Sequence, residues 1–192
     1  MTTETIKPLD LSRTYTAAEF ETLEDGEDHY ELVEGKLVEM PPTGDRHGRI
    51  SKRLVKHLLA FDPDEKLGQV WFTTGVKLDE KNVLEPDLTF IIANRIPSES
   101  NAALNIIPDL IVEIWSPSDV SSLKKLTAAR DKIRKFLEAG VQIGWFINPH
   151  NQTVEVYHLG QTEAVALLGL EDELDGENVI PGFRLKVKAL FG

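Results

Sequence analysis

Two acidic residues stand where hydrophobic strands leave little room for charge. Asp87 follows Pro86 and opens the run Asp87-Leu88-Thr89-Phe90-Ile91-Ile92, and Glu113 lies inside Leu110-Ile111-Val112-Glu113-Ile114-Trp115, which is otherwise apolar enough for a central strand. Period-two alternation puts Asp109, Glu113 and Trp115 on one face of that stretch and Leu110, Val112 and Ile114 on the other. An unpaired carboxylate at that depth costs on the order of several kcal/mol, so something must compensate it. If the two strands are neighbours, Asp87 and Glu113, 26 residues apart, point into one pocket and repel unless one is protonated or a cation lies between them. A hard divalent ion such as Mg²⁺ suits two carboxylates, a backbone carbonyl and waters. Held there, it would acidify a bound water and offset charge developing on a phosphodiester. The packing alternatives are that Glu113 forms a buried salt bridge with Lys132 and that Asp87 caps a turn after Pro86.

Composition narrows the chemistry further. The 192 residues include no cysteine, which removes thiol catalysis, disulfides and Cys-based zinc sites and leaves carboxylates, imidazoles and carbonyls as metal donors. With 41% hydrophobic and 28% charged residues the chain reads as an ordinary globular protein, its apolar runs far too short for a membrane span. The N-terminus Met-Thr-Thr-Glu-Thr-Ile-Lys lacks the apolar core of a signal peptide, so the expected location is cytoplasmic, with neither a membrane nor a nucleotide cofactor as partner.

The elements that must position these residues can be read along the chain. Thr16 and Glu19 form a Thr-x-x-Glu capping box opening a short helix expected to stop near Gly26. A hairpin follows, His29 to Val33 and Lys36 to Met40 around Glu34-Gly35. Pro41-Pro42-Thr43-Gly44 ends it, and a helix from Asp45 to Phe61 carries His47, Ile50, Leu54, Leu58 and Phe61 on one stripe. Strands are predicted at Gln69 to Leu78 and Leu84 to Ile92, antiparallel across Asp79 to Asn82, and then at Leu110 to Trp115. Ser116-Pro117-Ser118-Asp119 opens a second long helix that stops at Gly140, before strands at Val141 to Asn148 and Thr153 to Leu159 and a tail of short strands. This helix, three strands, helix, two strands order is an α/β or α+β sandwich: a mixed sheet flanked by helices, with an N-terminal hairpin and C-terminal strands. The expected organisation is an extension over residues 1–13 and a single domain over 14–192.

Pro86-Asp87, Glu113 on the next apolar strand and a basic helix after it resemble the PD-(D/E)XK nuclease superfamily, whose restriction endonuclease-like core has the same αβββαβ order. More closely, the chain resembles the Uma-type family of restriction endonucleases. The likeness rests on Tyr30 to Met40, Pro86-Asp87-Leu88, Val112 to Asp119, Gly140 to Pro149 and Val179-Ile180-Pro181-Gly182-Phe183 in that order. The resemblance implies a Mg²⁺- or Mn²⁺-dependent endonuclease acting on DNA, with Asp87 and Glu113 as metal ligands and the carbonyl of Ile114 as a third. The superfamily's lysine two residues after the Glu is here Trp115; the matching basic residue is Lys132 on the following helix, placed to orient the attacking water or stabilise the phosphorane. The family's hairpin glutamate corresponds to Glu31, an accessory ligand or a residue that fixes Lys132, and His47 is an accessory candidate at the start of the first long helix. Trp115 and Trp145 read as core. The competing reading is a non-catalytic nucleic-acid or protein-binding domain that keeps the nuclease fold.

The formal net charge of −11 argues against a polyanionic partner until it is mapped. Glu19 to Glu34 holds eight acidic residues and no Lys or Arg, and Gln161 to Asn178 holds six and none. By contrast Arg46, Arg49, Lys52, Arg53 and Lys56 make Arg46 to His57 about +5, and Lys124, Lys125, Arg130, Lys132, Arg134 and Lys135 against Asp131 make Lys124 to Lys135 about +5. Solvated helix faces explain such runs equally well; the functional expectation is that Arg46, Arg49, Lys52, Arg53, Lys124 and Lys125 track a DNA backbone. Cutting both strands of a duplex calls for two sites, hence a homodimer.

Overall fold

A computed structural model describes residues 9–23, 29–115 and 123–192, with side chains described from residue 126 onward in the last segment. The elements in chain order are α1 (Ala17–Phe20), β1 (His29–Val33), β2 (Lys36–Met40), α2 (Asp45–Phe61), β3 (Gly68–Phe72), β4 (Val76–Asp79), β5 (Asn82–Leu84), β6 (Leu88–Ile92), β7 (Leu110–Ile114), α3 (Leu123–Ala139), β8 (Ile143–Asn148), β9 (Thr153–His158), β10 (Ala166–Leu168), β11 (Glu173–Asp175), β12 (Arg184–Lys186) and α4 (Lys188–Phe191). A six-stranded sheet runs β10-β9-β8-β7-β6-β3, a four-stranded sheet β2-β1-β5-β4, and β11 pairs with β12. In the large sheet only β7 and β8 are parallel, joined by the α3 crossover. The fold is thus the mixed, helix-flanked sheet the element order predicts. No helix among the described residues is long and apolar enough to cross a membrane.

Local chemistry accounts for most boundaries. The hairpin occupies the predicted residues, with Glu34 at φ 51° and Gly35 at φ 76° supplying the two left-handed positions of its tight turn. The capping box is formed, Glu19 N donating to Thr16 Oγ1 at 3.2 Å and Thr16 N to Glu19 Oε2 at 2.8 Å, but α1 ends at Phe20, and Gly26 lies outside the described residues. Helix α2 covers Asp45–Phe61 as predicted and buries His47, Ile50, Leu54 and Leu58, whereas Phe61, in the last turn, is 42% exposed. The predicted helix start at Ser116 to Asp119 lies outside the described residues; α3 ends as predicted before Gly140, at φ 116°.

One expectation fails in an informative way. The two long strands predicted at Gln69 to Leu78 and Leu84 to Ile92 each break in the middle. Thr73, at φ 40°, bends the chain between β3 and β4, and Pro86, which has no N–H for a ladder, separates β5 from β6. Their inner halves, β3 and β6, pair in the large sheet; their outer halves, β4 and β5, turn away and join the hairpin through Leu32 opposite Val83. The double break carries the hairpin over to the end of the large sheet where Asp87 emerges.

The core divides as alternation along β7 requires. Leu110, Val112 and Ile114 face α2 and the C-terminal segment, packing with Ile50, Leu54, Leu58, Phe183 and Leu190, while Ile111 and Trp115 face α3 through Ile133, Phe136 and Leu137. Trp145 is core, stacked at 6.3 Å on Phe183.

Gly68 marks the tightest point of the β3–β6 pair: a Cβ there would lie 2.3 Å from the Ile91 carbonyl oxygen and 2.5 Å from the Phe90 ring. Gly68→Ala should therefore lower unfolding free energy by about 2–3 kcal/mol in urea titration. Gly48, in the first turn of α2 with nothing within 4 Å of an added Cβ, should give the opposite sign on substitution by Ala, a gain of about 0.5 kcal/mol.

Candidate active site

Strands β6 and β7 run antiparallel with Leu88 opposite Val112, so Asp87, one residue before β6, and Glu113, near the end of β7, arrive at the same end of the two strands. The side chain of Asp87 is held twice: its Oδ2 accepts from Ile114 N at 2.6 Å and lies 2.9 Å from His47 Nε2. His47 is 5% exposed, the first buried residue of α2, and its Nε2 faces Asp87. On the other flank, Lys132 comes in from α3. Its Nζ lies 2.8 Å from Glu31 Oε1 and 2.9 Å from Glu113 Oε1, and donates to the Glu85 carbonyl at 2.6 Å. Glu31 Oε1 also accepts from Glu85 N at 2.7 Å. Thus Asp87, Glu113, Lys132, Glu31 and His47 share one cleft of about 640 Å³, bounded by the hairpin, α3 and the sheet edge.

The charges are unbalanced. Glu31, Asp87 and Glu113 surround one ammonium, and His47 is partnered to Asp87 rather than to the other two. Burial pushes the Glu113 carboxyl up to about 8, Lys132 opposes the shift, and Asp87 and Glu31 add to it. Burial acts to lower the Lys132 amine, yet Glu113, Glu31 and Asp87 outweigh it and hold the amine above its ordinary value. Although Glu113 Oε1 lies close to Lys132, it receives no aligned hydrogen bond. A buried oxygen without a directed donor, in a cluster with excess carboxylate, is the donor chemistry a hard divalent cation satisfies. Among the described residues no three His, Asp or Glu side chains group closely enough to hold a metal by themselves.

Several residues prominent in the sequence lie elsewhere. Asp109, on the Glu113 face of β7 but at the opposite end, is fully buried and satisfied by Arg95, by Gln142 Nε2 at 2.9 Å and by Ile92 N at 3.0 Å. Trp115 packs into the α3-side core and lines the cleft. The basic helices are less available than their charge suggests. On α3, Arg130 is paired with Glu155, Arg134 with Asp131 at 2.7 Å, and Lys135 with Glu34. On α2, Arg49 binds Asp45 at 2.8 Å, and Arg53 donates to the Leu190 carbonyl at 3.2 Å. Arg46 is exposed at the start of α2, and Lys52 lines a second recess that also reaches Asp87. The side chains of Lys124 and Lys125 lie outside the described residues. The sequence reading missed Glu85, whose peptide N–H serves Glu31 and whose carbonyl serves Lys132. The available signal was its place before Pro86, which favours an extended backbone and ends the ladder there.

A family model described as Uma2, "Putative restriction endonuclease", matches residues 17–188. Among solved structures, the fold is similar to one titled a "putative nuclease belonging to DUF820" from Anabaena variabilis, with a TM-score of 0.78, 28% sequence identity, and 92% of this chain and 97% of that chain covered. No curated protein matches the chain.

The raised Glu113 carboxyl has a consequence for stability in metal-free solution. Its folded-state value of about 8 lies above the ordinary 4.5, so between those values the folded chain binds more protons than the unfolded chain and stability falls as pH rises. In chelator, Tm should drop from about pH 5 to pH 8, and Glu113→Gln should flatten that slope; an unchanged slope would exclude Glu113 as its source.

Proposed function

The chain belongs to the Uma2 family of restriction endonuclease-like proteins, and from that premise we propose that it is an endonuclease hydrolysing DNA phosphodiester bonds with Mg²⁺ or Mn²⁺. The observation that carries this reading is the convergence of Asp87, Glu113 and Lys132 from β6, β7 and α3 on one cleft. Asp87 and Glu113, with the carbonyl of Ile114, would hold the ion. When bound, such an ion polarises the phosphoryl oxygens and makes a neighbouring water more acidic. Lys132 holds a positive charge beside the same carboxylates, where it orients the attacking water and offsets charge at phosphorus. Glu31 and the Glu85 carbonyl fix the Lys132 amine, and His47 fixes the free rotation of Asp87. Among the proposed phosphate contacts, Lys52 and Arg46 on α2 are best placed to add to backbone binding; Arg49 and Arg53 would first have to give up internal partners. Cleavage of both duplex strands would pair two copies about a two-fold axis.

A second reading has one observation in its favour: Lys132 already bridges Glu31 and Glu113, the arrangement of a binding domain that has kept the fold and lost the metal. In that case salt-dependent DNA affinity would survive Glu113→Ala and show no metal dependence.

The two are separated by nicking of supercoiled plasmid with Mg²⁺ or Mn²⁺. Wild type should nick, Asp87→Ala should fall to background, and Lys132→Ala should lose about 100-fold or more, the scale of removing one preorganised donor. Equal background from wild type and Asp87→Ala would sink the catalytic reading. Lys132→Ala should also cost about 3–5 kcal/mol of metal-free stability, because it strands Glu31 and Glu113.

A further inference from the structure

The described lining of the cleft is poorly suited to the outside of a duplex. Its walls beyond the charged floor are apolar: Val38, 42% exposed, Met40 and Pro41 on the hairpin side, and Ala128 on α3. Its acidic lining includes Glu39 and Asp131, while its two lysines are committed, Lys132 to Glu31 and Glu113 and Lys135 to Glu34. A duplex backbone is held by rows of uncommitted Lys and Arg, and this cleft presents none among its described lining residues. An exposed apolar recess beside polar groups suits a flat, apolar-faced moiety attached to a phosphate.

The second recess continues the path from the other side of Asp87. It shares Thr43, His47 and Asp87 with the cleft and adds Ser51, Lys52 and Phe72. Lys52 has no ion-pair partner among the described residues, and the Phe72 ring, at the end of edge strand β3, is 47% exposed. A lone cation beside an exposed aromatic ring is the pairing that binds single strands, the ring stacking a base and the cation meeting its phosphate.

We propose that the site takes single-stranded DNA, with one unpaired base in the apolar cleft between Val38 and Ala128 and the strand on the far side of Asp87 stacked on Phe72 against Lys52. This rests on the phosphodiesterase reading of Asp87 and Glu113 and names its substrate class. A phosphate between the two bases lies at the residues common to both recesses. A single copy of the chain then suffices for a cut, and supercoiled plasmid is attacked where its strands are locally open.

The test is fluorescence anisotropy with the full chain, a labelled single-stranded oligonucleotide and its duplex, at low salt with Ca²⁺ present. The single strand should bind at least 10-fold more tightly than the duplex. Phe72→Ala should weaken single-strand binding by about 5-fold or more, the lower end of one lost base–aromatic stack. Ala128→Phe, at an exposed position that tolerates bulk, should weaken it comparably by filling the cleft. Both variants should keep the parent Tm. Equal or tighter duplex binding would overturn the inference, as would single-strand binding indifferent to both variants. Because binding and nicking are separate measurements, Asp87-dependent nicking with duplex preference would overturn only the substrate class. Single-strand binding without any nicking would instead overturn the nuclease reading.

Discussion

The ammonium of Lys132 meets oxygens from three chain segments that share no secondary structure element: Glu31 on β1, Glu113 on β7 and the carbonyl of Glu85 between β5 and β6. Without that charge, two carboxylates more than nine-tenths buried would face each other across the junction of the hairpin sheet and the main sheet. The attraction therefore joins the two sheets as well as furnishing the cleft. Glu85 reinforces the junction, since its N–H and carbonyl engage Glu31 and Lys132 at once. Pro86 next to it prevents the ladder from claiming those groups.

The cluster is also a stored imbalance. Three carboxylates around one ammonium is not the arrangement that minimises folding free energy, and the Glu113 carboxyl is raised first by its burial and further by Asp87 and Glu31. Asp109 shows the alternative on the same face of β7: equally buried, it is saturated by Arg95, Gln142 and a backbone N–H. One end of the strand thus carries a carboxylate fully satisfied by the protein, and the other carries one whose Oε1 lies 2.9 Å from the Lys132 amine yet receives no directed hydrogen bond.

The basic surface shows how little formal charge says about availability. Helix α3 counts about +5 from Lys124 to Lys135, but Arg130, Lys132, Arg134 and Lys135 each have an acidic partner within the chain. Cations drawn into packing in this way stabilise the helix against β9 and the hairpin instead of facing a ligand. Among the described cations of the two long helices, those without an internal partner, Arg46, Lys52 and Lys56, lie on α2, and Lys52 lines the recess that reaches Asp87.

Much of this was legible from sequence because it is local. The hairpin followed from Glu34-Gly35, α2 from its three- and four-residue stripe, and the conflict between carboxylate and strand at Asp87 and Glu113 from alternation alone. The breaks at Thr73 and Pro86 were not legible as breaks, because each half keeps strand periodicity and only the choice of pairing partner separates them. Nor could spacing show that Glu31 and Lys132, 101 residues apart, would meet, or that Arg53 would turn to the Leu190 carbonyl. By itself the sequence determined which residues could not be explained by packing, since burial and charge conflict at single positions. Only the tertiary structure decided which charges cancel and which stay unpaired, because Coulombic compensation depends on distances that the chain sets by folding.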